Sequence, residues 1–84
     1  MNLQDLAKSV NERDDLVQLI QALAQDRRSQ PQSWENDSLD RYLDALANWL
    51  ADSEGYYRNQ GREAPVTPSW KTFAEMLMAA RIYE

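Results

Sequence analysis

The chain has 84 residues, a formal net charge of −5, and neither cysteine nor histidine. Such a length holds one small domain, residues 1–84. Disulfides, thiol nucleophiles, histidine-dependent triads and the usual zinc sites are excluded by composition. The acidic balance argues against nucleic acid and anionic membranes as partners, because both reward a basic surface.

With 2 glycines and 3 prolines, the chain is cleanly divided, and between these breaks apolar residues recur at three and four, the spacing of helices. No stretch alternates as a strand does. Leu3, Leu6, Ala7 and Val10 predict a short first helix. Asn11 is the expected cap of a second helix, with Asp14 as its acidic N3 residue, running to about Arg28. Its apolar stripe is Leu16, Leu19, Ile20 and Leu23. Ser29 to Asn36 reads as a loop around Pro31.

A third helix is expected from Asp37 or Ser38 as cap. Asp37, Asp40, Arg41, Asp44, Asn48 and Asp52 fall within about 120° of its circumference. Leu39, Tyr42, Leu43, Ala45, Leu46, Ala47, Trp49 and Leu50 fill an arc of about 200°. So broad an apolar arc predicts a central helix, touched on several sides. Leu46, Trp49 and Leu50 are expected to pack against Leu19 and Leu23 of the second helix and Phe73 and Leu77 of the last. Gly55 is expected to interrupt the third helix, with Tyr56–Asn59 adding a turn. After a loop to Thr67, Thr67-Pro68 reads as N-cap and N1 of a last helix running nearly to the end. Its apolar face is Trp70, Phe73, Ala74, Leu77 and Ala80. The expected fold is all-α: a compact bundle of four to five helices, the third central.

The segments Trp34-Glu35-Asn36, then Leu39, Tyr42-Leu43, Ala47, Trp49 and Asp52, then Trp70-Lys71, Phe73-Ala74, Leu77, Ala80 and Ile82-Tyr83-Glu84, resemble a family of small uncharacterised bacterial proteins. That family has a W-E-N box, an alanine-rich helix ending in W-x-x-D-S, and a closing W-K-x-F-A…Y-E helix. The resemblance covers about residues 34–84, with a weaker match in the second helix. It implies a shared fold and a shared partner surface, and it supplies no catalytic residue.

No cofactor motif is present: two glycines make no phosphate-cradling loop, and the serines have no histidine to activate them. No enzymatic activity is therefore expected. Met1-Asn2-Leu3-Gln4-Asp5 carries neither the basic run nor the apolar stretch of a leader, and a cytoplasmic location is expected. The leading expectation is a protein–protein interaction module: an adaptor, a subunit, or an inhibitor of immunity type binding a basic partner. Its surface would be Trp34, Glu35, Asp37, Asp40, Asp44, Asn48 and Asp52, a row of acids complementary to positive charge. The competing reading of Glu35-Asn36 is that they cap the third helix. The alternative function is a small-molecule binder or enzyme with a pocket around Trp34, Glu35, Tyr56, Tyr57 and Arg81. Arg81, on the apolar face of the last helix, either snorkels from its last turn or is held by a carboxylate of another element. Nucleic-acid binding would need Arg13, Arg27, Arg28, Arg58 and Arg62 to converge.

Overall fold

A computed structural model describes residues 2–83. Met1 of the N-terminal stretch and Glu84 of the closing box lie outside the described residues. Among the described residues the regular structure is four α-helices and one 3-10 turn: α1 (Leu3–Lys8), α2 (Arg13–Ser29), the turn Pro31–Ser33, α3 (Leu39–Asn59) and α4 (Trp70–Ala79). The all-α expectation holds, with no strand among the described residues.

Local chemistry sets each boundary. Asn2 caps α1 by accepting from the Asp5 N–H at 2.8 Å. The start of α2 lies one residue later than the spacing predicts. Glu12 is the cap, and Asp15 rather than Asp14 reaches back to the Asn11 and Glu12 N–H groups, at 3.0 Å each. A carboxylate in the first turn also suits the positive end of the helix dipole. Ser38 caps α3, accepting from the Arg41 N–H at 3.3 Å. Gly55 does not interrupt that helix, which runs on for 21 residues to Asn59. One glycine costs a helix only about 1 kcal/mol, and the aromatic packing of the following turn outweighs it. The chain turns at Gly61, whose φ of 69° is the left-handed conformation that glycine adopts without strain.

The last helix begins two residues later than expected. Ser69 and Thr72 form a reciprocal capping box, each side chain accepting from the other's N–H at 3.1 Å. Thr67 and Pro68 remain in the preceding loop. A hydroxyl pair satisfies two N-terminal donors, where Thr67 as a simple cap offers one acceptor.

The expectation of a central third helix is corrected: α4 holds the centre, packed against α1, α2 and α3, whereas α3 lies against α4 alone. The principal core is Val10, Leu16, Leu19, Leu23 and Ala74, with Leu6, Trp34, Phe73 and Leu77 packed around it, and takes nothing from α3. The expected packing of Leu46, Trp49 and Leu50 on Leu19 and Leu23 therefore does not form. Instead α3 buries Ala45, Trp49 and Tyr57, while Leu50 is 54% exposed. Tyr56 and Tyr57 surround Trp49, with ring centroids 5.3 and 6.4 Å away. Large rings give a single helix enough buried area to hold its place on α4.

Candidate functional site

The Trp34-Glu35-Asn36 box leads from the 3-10 turn into α3. Asn36 does not cap α3. It crosses to the other end of the chain and caps α4, its Nδ2 donating to the carbonyls of Ala80 (2.9 Å) and Tyr83 (2.7 Å). Its backbone N–H donates to the Arg81 carbonyl at 2.9 Å. One residue thus satisfies three carbonyls at the end of α4, where backbone acceptors have no intrahelical donor. Trp34 is half-buried. Its indole N–H donates to Asp26 at 2.8 Å, and its ring lies 5.6 Å from that of Tyr42. Arg81 is placed over the Trp34 ring at 5.9 Å, with its Nε donating to the Met78 carbonyl. It is held by an aromatic face and a backbone carbonyl, and by no carboxylate among the described residues. Glu35 is exposed.

Tyr42 locks α3 to α4, its hydroxyl donating to the Leu77 carbonyl at 2.7 Å. Burial pushes the phenol up from 10.0 to about 12, with the positive charge of Arg81 acting against the rise. The Tyr57 hydroxyl is buried without a hydrogen-bond partner among the described residues. Its phenol is raised by burial and then by the nearby charge of Glu75, against Arg62.

The row Asp37, Asp40, Asp44, Asn48 and Asp52 is exposed throughout, as expected, but its members have different surroundings. Asp37 pairs with Arg41 at 3.6 Å, and its carbonyl accepts twice from the guanidinium of Arg27. Asp52 accepts from the Tyr83 hydroxyl and thereby holds that phenol above its ordinary range. Asp44 and Asn48 border a shallow depression with Asn36 and Tyr83. Asp40 makes no hydrogen bond or ion pair with a described residue. No group of acids among the described residues is placed to hold a metal ion.

Sequence reasoning took the whole apolar arc of α3 as buried, and so missed what stands beside that row. Leu39 is 72% exposed, Leu43 50% and Leu50 54%. With half-buried Leu46 they recur at four, three and four residues, the seam spacing of a coiled coil. At its N-terminal end this stripe meets an apolar groove of about 390 Å³ between α2 and α3, bordered by Ile20, Leu23, Trp34, Leu39, Tyr42 and Leu77. At its C-terminal end Leu50 borders a hollow with Trp49, Pro65 and Pro68.

The five residues of the alternative pocket do not line one cavity, although Arg81 lies over Trp34 and Tyr56 touches Tyr57. Trp34 borders the α2–α3 groove, Tyr57 the Trp49 hollow, and Tyr56 and Arg81 a third cleft. Nor do the arginines gather: Arg13 lies over Trp70 at one end of α2 and Arg27 reaches Asp37 from the other.

The model of a family of unknown function, DUF7660, matches residues 12–84. The chain belongs to that family. The match takes in the stretch 34–84 of the resemblance and also α2, where the resemblance is weaker. No curated protein and no solved structure matches the chain. No helix among the described residues is long and apolar enough to cross a membrane.

Proposed function

We propose that the protein is a non-catalytic interaction module that receives an amphipathic helix of a partner protein along the outer stripe of α3. The observation that carries this reading is the exposure of Leu39, Leu43 and Leu50 on one side of the longest helix. Burying each side chain fully is worth about 1.5–3 kcal/mol, so a partner that covers the row recovers part of that from all three at once. The seam spacing suits a helix, and the groove walled by Ile20 and Leu23 offers such a helix a lateral support.

Charge selects the occupant. On the helical wheel Asp40, Asp44 and Glu54 lie along the outer edge of the stripe, with Arg58 following at the end of α3. A partner helix with lysine or arginine beside its apolar face meets opposite charge along that edge. A second copy of this chain brings the same acids and a net charge of −5 against them. Nucleic acid and anionic lipid fit this edge poorly for the same reason. A cysteine-free composition supports a cytoplasmic setting.

The test is calorimetric titration with a leucine-faced helical peptide flanked by lysine, against the same peptide flanked by glutamate. The lysine version is expected to bind about tenfold more tightly at low salt, the advantage shrinking as salt rises. Asp40→Lys with Asp44→Lys reverses the preference, whereas Asp14→Lys with Glu63→Lys, equal in charge but on other segments, leaves it in place. Equal binding of both peptides, or like behaviour of both double variants, overturns the charge selection. Sedimentation equilibrium that shows a dimer abolished by Leu43→Glu assigns the stripe to a second copy and overturns the proposal.

A further inference from the structure

A different surface concentrates positive charge in this acidic chain. A cleft of about 630 Å³ opens between α1, the C-terminal end of α3, and α4. Four of the nine cationic side chains border it: Lys8, Arg62, Lys71 and Arg81. Glu75 is the only carboxylate among its described residues, and Arg62 already pairs with it at 3.2 Å. Arg62 is held in addition by Gln60 at 2.7 Å and stacks over Tyr57 at 4.9 Å. Arg81 is fixed over Trp34. Two guanidinium groups are therefore preset, while Lys8 and Lys71, both exposed, pair with no described carboxylate. Tyr56, Met78 and Ile82 supply an aromatic wall and an apolar floor.

We propose that this cleft binds a small organic anion with two negative charges beside an apolar or aromatic body, the charged end being a phosphate monoester or a dicarboxylate. The four cations outnumber the one carboxylate of the cleft, Glu75, and the field of the excess positive charge is focused by the low-dielectric walls even when the net charge of the chain is negative. Lysine ammonium groups follow a diffuse dianion as point charges, and the preset guanidinium groups orient it. The floor takes the apolar body and gives the site a selectivity that charge alone does not supply. None of these residues belongs to the leucine stripe, so this site and the helix-docking surface stand or fall separately.

The experiment is an amide NMR titration of the full chain with phenyl phosphate, phthalate, inorganic phosphate and benzyl alcohol in turn. Phenyl phosphate or phthalate is expected to shift the signals of Lys8, Arg62, Lys71 and Met78, and the tighter of the two identifies the charged end. Inorganic phosphate binds the same residues more weakly, and benzyl alcohol leaves them unmoved. Lys8→Gln with Lys71→Gln is expected to weaken binding by about tenfold. Arg28→Gln with Arg58→Gln, equal in charge change, leaves it within about twofold, and so does Leu43→Glu. Anion shifts spread evenly over every arginine and lysine, or equal affinity in the two charge-matched double variants, overturn the proposal.

Discussion

The two sides of α4 are closed in different ways. On one side α2 supplies Leu16, Leu19 and Leu23 and the α1–α2 connection supplies Val10, which close over Ala74 of α4, with half-buried Leu3, Leu6 and Ala7 of α1 packed against them. On the other side α3 alone packs down, through Ala45, Trp49 and Tyr57. Where two helices share the task, α2 buries Leu16, Leu19 and Leu23 of its stripe and leaves Ile20 47% exposed, at the groove it borders with α3. Where one helix stands by itself, a helix surface is curved and only part of an apolar arc reaches the neighbour. The remainder of the arc, Leu39, Leu43 and Leu50, is left at the surface. The difference shows that the width of an apolar arc measures how many neighbours a helix can serve, and among the described helices α3 packs against one, α4.

The largest effects should fall in the two cores. Leu19→Ala, at a fully buried site, is expected to cost about 2–5 kcal/mol in urea melts, and Trp49→Ala about 3–5 kcal/mol. Half-buried Leu46 should lose about 1 kcal/mol on truncation to alanine. A loss as large as that of Leu19→Ala places Leu46 in a core shared with α2 and breaks the division between the sides. Asn36→Ala is next, at about 1–3 kcal/mol, because it strips a donor from two carbonyls at the end of α4.

Half-buried Tyr42 and buried Tyr57 sharpen the comparison within the α3 side. Tyr42→Phe orphans the Leu77 carbonyl and should cost about 1 kcal/mol, whereas Tyr57→Phe removes an unpaired hydroxyl and should be neutral or stabilising by up to about 1 kcal/mol. Equal losses in thermal melts contradict the assignment of partners.

A smaller effect is set by pH. The Tyr42 phenol is raised in the folded state, so the fold favours its neutral form. Its contribution to stability is complete below about pH 10 and is lost as pH rises through about 12. Denaturant melts between pH 9 and 12 should show this decline in the wild type and a shallower one in Tyr42→Phe. Part of the slope persists, because Tyr57 and Tyr83 are raised as well. Identical slopes in the two proteins contradict the partial burial of the Tyr42 phenol.

Local signals account for what was legible in the sequence. Period and breaking residues located all four helices, Ser38 was one of two caps named for α3, and the acid row of α3 was correctly placed on the exposed arc. The caps of α2 and α4 were read one and two residues early. A side chain's choice between adjacent N–H groups depends on backbone angles that residue type does not state. The role of Asn36 depends on partners 44 and 47 positions away, and no local pattern reports a bond of that span. The cationic cleft escaped for the same reason: Lys8, Arg62 and Lys71 come from three separate segments. The exposed stripe was visible as apolar spacing, but spacing cannot say which part of an arc a neighbour covers.

The account rests most directly on whether the α3 stripe is surface for a partner or part of the fold, and one variant separates the two. Leu43→Glu should be measured twice, by urea denaturation and by titration with the lysine-flanked helical peptide. The account predicts a stability within about 0.5 kcal/mol of the wild type, as for a surface substitution, and a loss of about tenfold or more in peptide affinity. A loss of stability above about 2 kcal/mol, or unchanged peptide affinity, contradicts it.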